Sequence, residues 1–320
     1  MRKIIVIGES VLDTVFLEDL PVKTFVGGRI ANAAASLGLT GLPTYMVSEC
    51  CTDHVGDLIV KFISSHNVDV KSIDRYTDGA TAISLIFNSG GNCQRVNYID
   101  YPSDRFDVIW PRIDKDDIVL FGSFYSIDTA LRDRLAEMIN YASERKAIIV
   151  YLPGFQHGIN CRITKVMPAI LENLEIADFV VAKQSDISDI FPGETTEKAF
   201  HNHIEYYCSN FLHINSDFST SIFCNNKVQN FTPMKGNTEN ALGLQSGFVS
   251  GLIYSLVLHN ITHDALSEID EDIWKKMMDD VYSFATECAA NKDNCISAPF
   301  AADRAKKLAD ALALFSQNML

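Results

Sequence analysis

The chain has 320 residues, of which 47% are hydrophobic, and its formal net charge is −14. This length and composition suit one large α/β domain or two smaller ones, with ample apolar content for a core. The negative charge, with no basic run longer than a pair such as Lys306-Lys307, argues against nucleic acid or an anionic membrane as a partner.

The first predicted strand, residues 3–8, is a short β-branched run closed by Gly8. Glu9 and Asp13 follow it. Ligands of α/β sheets gather outside the carboxyl ends of strands, so Asp13 is a candidate substrate contact; the alternative is that it only opens a turn. Short strands are expected over 13–20 and 23–26, on either side of Pro21.

Two adjacent glycines, Gly27 and Gly28, precede a small-residue helix that begins after Asn32 and ends at Gly38. Paired glycines in this position indicate that the backbone comes very close to something, either a ligand or another helix. A strand over 44–48 follows, and then an amphipathic helix over 57–66.

Residues 80–87 and 94–101 flank the sequence Asn-Ser-Gly-Gly-Asn, which is typical of a β-hairpin. The hairpin interrupts the alternation of strands and helices. We therefore expect a separate small sheet, in which strands at about 13–26 pair with those at about 80–102 to form a flap over the main domain.

The rest of the chain alternates strands with helices and ends in three helices, which predicts a mostly parallel sheet covered by helices on both faces. Without repeats, linkers or low-complexity segments, residues 1–320 are expected to form one α/β domain plus the flap. The predicted strands are 117–121, 147–152, 179–182, 211–215, 219–223 and 227–231, and the predicted helices 128–144, 163–174, 185–190, 196–209, 243–259, 271–289 and 302–316.

No pair of the eight cysteines is spaced as C-x-x-C, and none clusters with histidine at zinc-like spacing, so no metal site is predicted. The N-terminal apolar run is too short for a signal peptide, and no stretch is long enough to span a bilayer. These features predict a cytoplasmic protein with reduced thiols.

The stretch 240–252 reads as a glycine-bearing turn that leads into a helix. The free N–H groups and the dipole of a helix N-terminus favour an anion there. A phosphate site is therefore expected at Gly243.

The order of these motifs resembles that of the PfkB carbohydrate kinases, which have the ribokinase-like fold. The resemblance rests on Gly8-Glu9 with Asp13, Gly27-Gly28-x-x-x-Asn32, Asp53 with Gly56, the flap hairpin and the helix start at Gly243. It implies a three-layer α/β/α domain with a β-sheet lid, transfer of a phosphate from Mg-ATP to a sugar hydroxyl, and a homodimer interface on the lid. Asp13, Gly27, Gly28 and Asn32 would bind the sugar or sugar acid.

The resemblance also implies that the catalytic base has been replaced. The family reads Asp-Thr-x-Gly-Ala-Gly-Asp where this chain has Asn240-Ala241-Leu242-Gly243-Leu244-Gln245-Ser246. Ser246 therefore stands at the position of the base, and a serine hydroxyl is no general base near neutral pH without an activator. Ser246 is better explained as a helix cap, and Leu244 and Gln245 crowd the approach of a phosphate.

Other motifs on the nucleotide side are degraded as well. Lys183-Gln184 aligns with the Asn-Glu pair that helps to place magnesium. Residues 215–220 lack both glycines of a Thr-x-Gly-x-x-Gly loop, with Asp217 and Thr220 in their places, and Leu152-Pro153-Gly154 replaces Asp-Pro-Asn.

Three functions stay open on this evidence. The first is a sugar-kinase homologue that is impaired or inactive in phosphotransfer but still binds a sugar. The second is an active fructokinase-like or ketodeoxygluconate-kinase-like enzyme with a substitute carboxylate such as Glu239. The third is a structural or regulatory subunit that associates through the lid. A dinucleotide-binding oxidoreductase fits poorly, because Gly8 starts no G-x-G-x-x-G.

Overall fold

The computed structural model describes residues 1–89, 92–155, 162–224, 227–232 and 242–318. Its strands in chain order are β1 (Ile4–Ile7), β2 (Val11–Leu17), β3 (Leu20–Gly27), β4 (Thr44–Cys51), β5 (Val68–Tyr76), β6 (Ala80–Ser89), β7 (Asn92–Asp100), β8 (Ile118–Ser123), β9 (Ile148–Pro153), β10 (Phe179–Lys183), β11 (Phe211–Ile214), β12 (Thr220–Cys224) and β13 (Lys227–Phe231).

The α-helices in the same described ranges are α1 (Arg29–Leu39), α2 (His54–Ser65), α3 (Arg132–Glu144), α4 (Ile163–Ile176), α5 (Gln184–Ile190), α6 (Thr196–Ala199), α7 (Leu244–Leu258), α8 (Glu271–Ala290) and α9 (Ala298–Asn318). A single π-helical turn, Phe200–Ile204, continues α6. The helix expected over 196–209 is therefore much shorter than predicted.

Nine strands form the larger sheet, in the order β13-β12-β11-β10-β9-β8-β1-β4-β5. Its strands pair in parallel from β5 to β11, and β12 and β13 pair antiparallel at one edge. β1 lies inside the sheet, with all four of its apolar residues buried. Strands covered on both faces need such continuous apolar runs, so the predicted parallel α/β architecture is confirmed.

Two apolar cores cover the two faces of this sheet, because alternate residues of each strand point to opposite sides. Ile4 and Val6 belong to the core that contains α1, α7 and α8, whereas Ile5 and Ile7 belong to the core that contains α3 and α4. All residues of α7 are buried, as expected for a helix enclosed by other elements rather than one with an exposed polar face.

The predicted flap is a second sheet of four strands in the order β3-β2-β6-β7, hereafter the lid sheet. Its strands occupy 11–27 and 80–100, close to the expected limits of 13–26 and 80–102. The first turn was misplaced: it lies at Glu18 and Asp19, whose φ angles are 49° and 65°, and Pro21 lies inside β3. Two successive positive φ angles give the tight turn that a two-residue hairpin requires.

Candidate active site

A cleft of about 840 Å³ lies between the lid sheet and the carboxyl ends of the central strands. Residues of β2 and β7 line one wall. The starts of α1, α5 and α7 line the other. Parallel strands and the helices that follow them meet at this edge, so polar residues far apart in sequence converge there.

Asp13 lies on the inner face of the lid sheet and is 3% exposed. Arg95 of β7 donates to its carboxylate across 3.2 Å. Burial raises the pKa of Asp13, an effect that the Arg95 charge opposes. A Cβ added to Gly27 would come within 2.0 Å of the Asp13 Oδ2 atom, so Gly27 leaves room for this carboxylate.

Gly28 caps the start of α1 with a φ of 100°, and a Cβ there would lie 2.5 Å from the Glu9 carbonyl oxygen. This geometry favours glycine strongly. One turn later, Asn32 lines the cleft with 4% of its surface exposed, and its Oδ1 atom has no hydrogen-bond partner within the described chain. A buried polar atom without a partner is costly, so Asn32 is well suited to bind a ligand hydroxyl.

Arg29, between these two residues, makes contacts that the sequence did not indicate. Its Nη1 atom lies 3.1 Å from both carboxylate oxygens of Asp186 and 2.6 Å from Oε1 of Gln245. Gln245 in turn donates through Nε2 to Asp186 over 3.0 Å. These three side chains close a polar triangle, hereafter the Arg29 hub, that joins the starts of α1, α5 and α7.

The Arg29 hub also reaches the central strands. The Arg29 Nη2 atom donates to Ser123 Oγ at 3.2 Å and to the carbonyl of Pro153 at 3.4 Å, at the ends of β8 and β9. A Cβ at Gly154 would lie 2.6 Å from Nη2, which explains the glycine where the family has asparagine. The guanidinium therefore occupies the space into which a side chain at position 154 would extend.

The first turn of α7 is buried from Gly243 to Ser246. Gly243 is needed for packing, since a Cβ there would approach the Cys288 carbonyl oxygen to 2.6 Å. Leu244 and Gln245 both line the cleft and are each 5% exposed, so their side chains fill space at the start of α7.

Ser246 is fully buried, and its hydroxyl donates to the carbonyl oxygens of Gly243 at 2.8 Å and Asn294 at 3.4 Å. The expectation that Ser246 caps a free N–H was wrong, because Gly243 is the N-cap residue of α7 and no side chain caps this helix start. The single hydroxyl proton of Ser246 points to the Gly243 carbonyl, with that of Asn294 further away. Its hydroxyl is thus committed to the protein interior. Asn240, Ala241 and Glu239, to which the sequence also drew attention, lie outside the described residues.

Residues 215–220 supply a different side chain to the cleft from the two that were predicted, Asp217 and Thr220. Asp217 is exposed and accepts hydrogen bonds from Ser219, while Thr220 is buried and its hydroxyl lies 2.8 Å from that of Tyr282. Neither residue lines the cleft. Phe218, whose φ is 64°, lines it instead, so an aromatic ring from this loop faces the cleft.

Lys183 ends β10 and lines the cleft. Surrounding protein lowers the pKa of its ammonium group, and the charges of Arg29 and Arg95 act in the same direction, against Asp186 and Asp189. The backbone N–H of Lys183 donates to Asp186 at 3.2 Å. This bond places the backbone of Lys183 beside the Arg29 hub, and its side chain is exposed.

A further cluster in the cleft was missed from the sequence. Glu49, at the end of β4 and 3% exposed, lies 3.1 Å from Nη1 of Arg105 and accepts a hydrogen bond from the Tyr76 hydroxyl. Burial raises the pKa of Glu49 to about 7. A second acid, Asp128, also pairs with Arg105. The only sequence signal was a glutamate near the carboxyl end of a strand.

Mg-ATP, the cofactor that the resemblance implies, does not fit the observed nucleotide side. The Asp186 carboxylate, the nearest candidate to hold a cation, already accepts from Arg29, Gln245 and the Lys183 N–H. An arginine and a lysine beside it oppose a divalent cation. No group of three or more metal-ligating side chains occurs in the described parts of the chain.

Comparison with solved structures supports the ribokinase-like fold. The aminoimidazole riboside kinase of Salmonella enterica, solved with aminoimidazole riboside and an ATP analog, superposes with a TM-score of 0.79 at 14% identity, over 96% of this chain and 100% of that one. The Xylella fastidiosa fructokinase with bound ATP superposes with a TM-score of 0.78 at 14% identity, over 96% of this chain and 99% of that one. At such identities the likeness establishes the fold alone.

An uncharacterized sugar kinase of Pyrococcus horikoshii is similar in structure and sequence. The structures agree with a TM-score of 0.74 at 17% identity, over 96% of this chain and 99% of that one. In sequence the two are 22% identical over 197 residues, which span 57% of this chain and 61% of the relative. The sequence alignment thus covers less than two thirds of that relative.

No helix in the described residues combines the length and apolarity needed to cross a membrane. The model of the pfkB family of carbohydrate kinases matches residues 1–206, well over half of the sequence. Together with the ribokinase-like architecture, the lid sheet and the glycine pair over Asp13, this match shows that the chain belongs to the pfkB carbohydrate kinase family.

Proposed function

We propose that this chain binds a monosaccharide in its cleft but is impaired or inactive in transferring phosphate from ATP. The observation that carries the proposal is the Arg29 hub. In it, the Gln245 side chain and the Asp186 carboxylate occupy the mouth of α7, where the family has an open anion site.

The sugar side supports retained binding. Asp13 stays buried beside Arg95, Gly27 and Gly28 keep the backbone open around it, and Asn32 presents an unpartnered oxygen. Tyr125, whose hydroxyl is buried without a partner among the described residues, lines the same cleft. Unpartnered hydrogen-bonding groups around a cleft suit a polyhydroxylated ligand.

The catalytic side supports impaired transfer. A positioned general base contributes about 10²–10⁴ in rate, and the Ser246 hydroxyl points into the interior. Positioning and charge stabilisation supply most of phosphoryl transfer, and both require access to the phosphates. Filling the helix start with Leu244 and Gln245 removes that access together with the base.

Steady-state ADP release with Mg-ATP and a panel of sugars tests the proposal. We expect turnover far below the usual kinase range of about 1–100 s⁻¹, together with sugar-dependent thermal stabilisation in the absence of nucleotide. Turnover at ordinary rates would instead favour the active kinase with a substitute carboxylate, such as Glu239.

Gln245→Gly is a sharper variant, since it removes one corner of the Arg29 hub and restores the residue of the family. It is expected to increase binding of an ATP analogue more than the matched change Gln229→Gly on β13. Equal and undetectable binding in both variants would show that Gln245 is not the barrier.

Association through the lid sheet is a second candidate role. Three apolar residues of β2 and β3 are exposed, namely Leu17, Leu20 and Val22 at 54%, 68% and 57%. Apolar groups on an edge strand favour pairing with another chain, and the family resemblance suggests a second copy. Sedimentation of wild type against Leu20→Asp distinguishes a homodimer from a monomer.

Buried free cysteines, Cys50 and Cys51 among them, are consistent with the proposed cytoplasmic location.

A further inference from the structure

The segment that leaves the lid sheet runs along the wall of the cleft. Residues 101–113, hereafter the lid connector, follow β7 and lead towards the central strand β8. Tyr101 and Arg105 of this segment line the cleft, whereas Phe106 is buried beneath it with 1% of its surface exposed. The position of the lid connector therefore shapes the cleft beside the lid sheet.

Glu49, at the end of β4, holds the lid connector through both of its carboxylate oxygens. Its Oε1 atom lies 3.1 Å from Nη1 of Arg105, and its Oε2 atom accepts a hydrogen bond from the Tyr76 hydroxyl. The Tyr76 oxygen in turn accepts from the backbone N–H of Phe106 at 3.0 Å. A single carboxylate thus fixes two adjacent residues of the lid connector.

The charges around Glu49 come from three elements. Arg105 of the lid connector is cationic, whereas Asp74 of β5 and Asp128, which precedes α3, are acidic. Asp128 also pairs with Arg105, so one guanidinium group serves two carboxylates. The phenols of the cluster stay neutral, because burial raises the pKa of each of them, namely Tyr76, Tyr101 and Tyr125.

One guanidinium group cannot balance two carboxylates, so one of these acids is expected to take up a proton near neutral pH. The Asp128 side chain is 34% exposed and accepts the backbone N–H of Ala130 at 2.9 Å, and both features favour its ionised form. The Glu49 side chain is only 3% exposed, and burial raises its pKa to about 7. Glu49 is therefore the acid that titrates.

A proton on Glu49 conflicts with the contacts that it makes. Both carboxylate oxygens face donors, the Arg105 N–H and the Tyr76 O–H, and a protonated oxygen is itself a donor. The added proton must therefore displace one of the two. The charge attraction to Arg105 is lost in either case, and with it the stronger part of that hydrogen bond.

We propose that Glu49 is a proton-dependent anchor of the lid connector. The ionised carboxylate holds Arg105 directly and the backbone of Phe106 through Tyr76. Protonation releases this part of the lid connector and loosens the adjoining wall of the cleft. The ionised form gains these contacts but loses its hydration, and the two effects are close enough for a small change in pH to decide between them. The anchor requires no ligand, so it stands apart from the proposed sugar binding.

Trp110 provides a reporter within the lid connector. Its ring lies 5.2 Å from that of Phe106 between centroids, and the chain has only two tryptophans. Trp274→Phe leaves Trp110 as the sole tryptophan. In this background the emission maximum is expected to move to longer wavelength as the pH falls from about 8.5 to about 5.5, with a midpoint near pH 7.

Three further substitutions in that background assign the transition. Glu49→Gln should abolish it and give the longer-wavelength emission at every pH. Tyr76→Phe should move the midpoint to higher pH, because it removes a hydrogen bond that favours the ionised form. Asp107→Asn, at a fully exposed carboxyl of the lid connector, is the matched control and should titrate like its parent.

Hydrogen exchange on the unsubstituted chain gives a second measurement. After correction for intrinsic exchange rates, the amide of Phe106 is expected to be about tenfold or more less protected at pH 5.5 than at pH 8.5, the scale of one hydrogen bond to a charged group. A fluorescence transition that persists in Glu49→Gln would assign the titration to another group and overturn the proposal. Emission and protection that do not change between these two pH values would overturn it as well.

Discussion

At the scale of single residues, the surroundings of Ser246 determine whether a carboxylate can be introduced at this position. Its side chain is fully buried, and its oxygen faces two carbonyl oxygens. A carboxylate at that position would meet acceptors where it needs donors. Reintroducing the acid of the family at this one position should therefore damage the fold before it helps the chemistry.

Ser246→Asp is predicted to lower the free energy of unfolding by about 3 kcal/mol or more, since an unpaired buried charge is strongly destabilising. It should not restore ATP use. Urea denaturation at pH 7 measures the first effect. Ser246→Ala is the control and should cost about 1 kcal/mol, the net worth of a hydrogen bond. A fully stable Ser246→Asp protein would show that the helix start opens readily to the cleft.

Glu49 gives the protein a predictable response to pH. Its pKa rises from the usual 4.5 to about 7 because of burial, against the effects of Tyr76 and Arg105. Between these two values the folded chain keeps a proton that the unfolded chain has lost. This group therefore makes the free energy of unfolding fall as the pH rises through that window.

Glu49→Gln removes this titration while Arg105 retains its pair with Asp128. Denaturation curves at pH 5 and pH 7.5 are expected to show a smaller loss of stability with pH in the variant than in wild type. Asp107→Asn, at a fully exposed carboxyl two residues after Arg105, serves as the control. Parallel profiles for wild type and Glu49→Gln would mean that Glu49 titrates normally.

Residues of the candidate site that belong to local motifs can be predicted from the sequence, whereas those that meet over long range cannot. Asp13, Gly27, Gly28 and Asn32 follow directly from glycines and polar residues after a strand. Arg29 meets Asp186 and Gln245 across 157 and 216 positions of sequence. Such contacts depend on how the sheet brings helix starts together, and no pattern in a single sequence encodes them.

At the scale of elements, the packing of α7 against α8 depends on two glycines one turn apart. A Cβ at Gly247 would lie 2.6 Å from the Cα of Ala285, and one at Gly251 would lie 2.6 Å from the Cα of Val281. Both contacts are with backbone atoms, which cannot rotate away. These two glycines therefore allow the backbones of α7 and α8 to approach each other closely.

Gly247→Ala should destabilise the protein by about 1–3 kcal/mol as an overpacking change, although the same change in a free helix stabilises by about 0.5–1 kcal/mol. Thermal or urea unfolding shows directly whether the substitution lowers or raises the free energy of unfolding. Because the clash is with the Cα of Ala285, adding Ala285→Gly should not rescue the variant. A gain in stability on Gly247→Ala would contradict the observed helix spacing.

Elements with a clear pattern of apolar residues were predicted well, and those that depend on pairing between strands were not. The strands and helices of the central layers lie within a few residues of expectation, because burial on both faces demands apolar runs. β5 was missed: its residues alternate irregularly in burial at the edge of the sheet. The β2–β3 turn was misplaced because Glu18 is an unusual residue at positive φ and no glycine marks the turn, whereas Pro21 suggests one.

At the scale of the whole molecule, the Arg29 hub connects elements that are far apart in sequence. It joins the starts of α1, α5 and α7 to the ends of β8 and β9 through one guanidinium group. The Arg29 and Asp186 side chains are only 19% and 6% exposed. In such surroundings the loss of one partner leaves an uncompensated charge.

Arg29→Met is predicted to destabilise the chain by about 3–5 kcal/mol, the usual cost of breaking a buried ion pair. Lys115→Met, which removes a half-exposed surface pair with Asp264, should lower stability far less, because solvent screens exposed ion pairs. Denaturant midpoints at constant m-value provide the comparison.

The double variant Arg29→Met with Asp186→Leu separates two explanations of that loss. If the cost comes from the buried charge of Asp186, replacing both partners should recover a large part of the stability, because apolar groups of similar volume often replace an ion pair without penalty. If the cost comes from the contacts to Ser123 and Pro153, the double variant should remain as unstable as Arg29→Met. We expect the recovery, because the Asp186 carboxylate would otherwise keep only Gln245 and one backbone N–H to balance its charge.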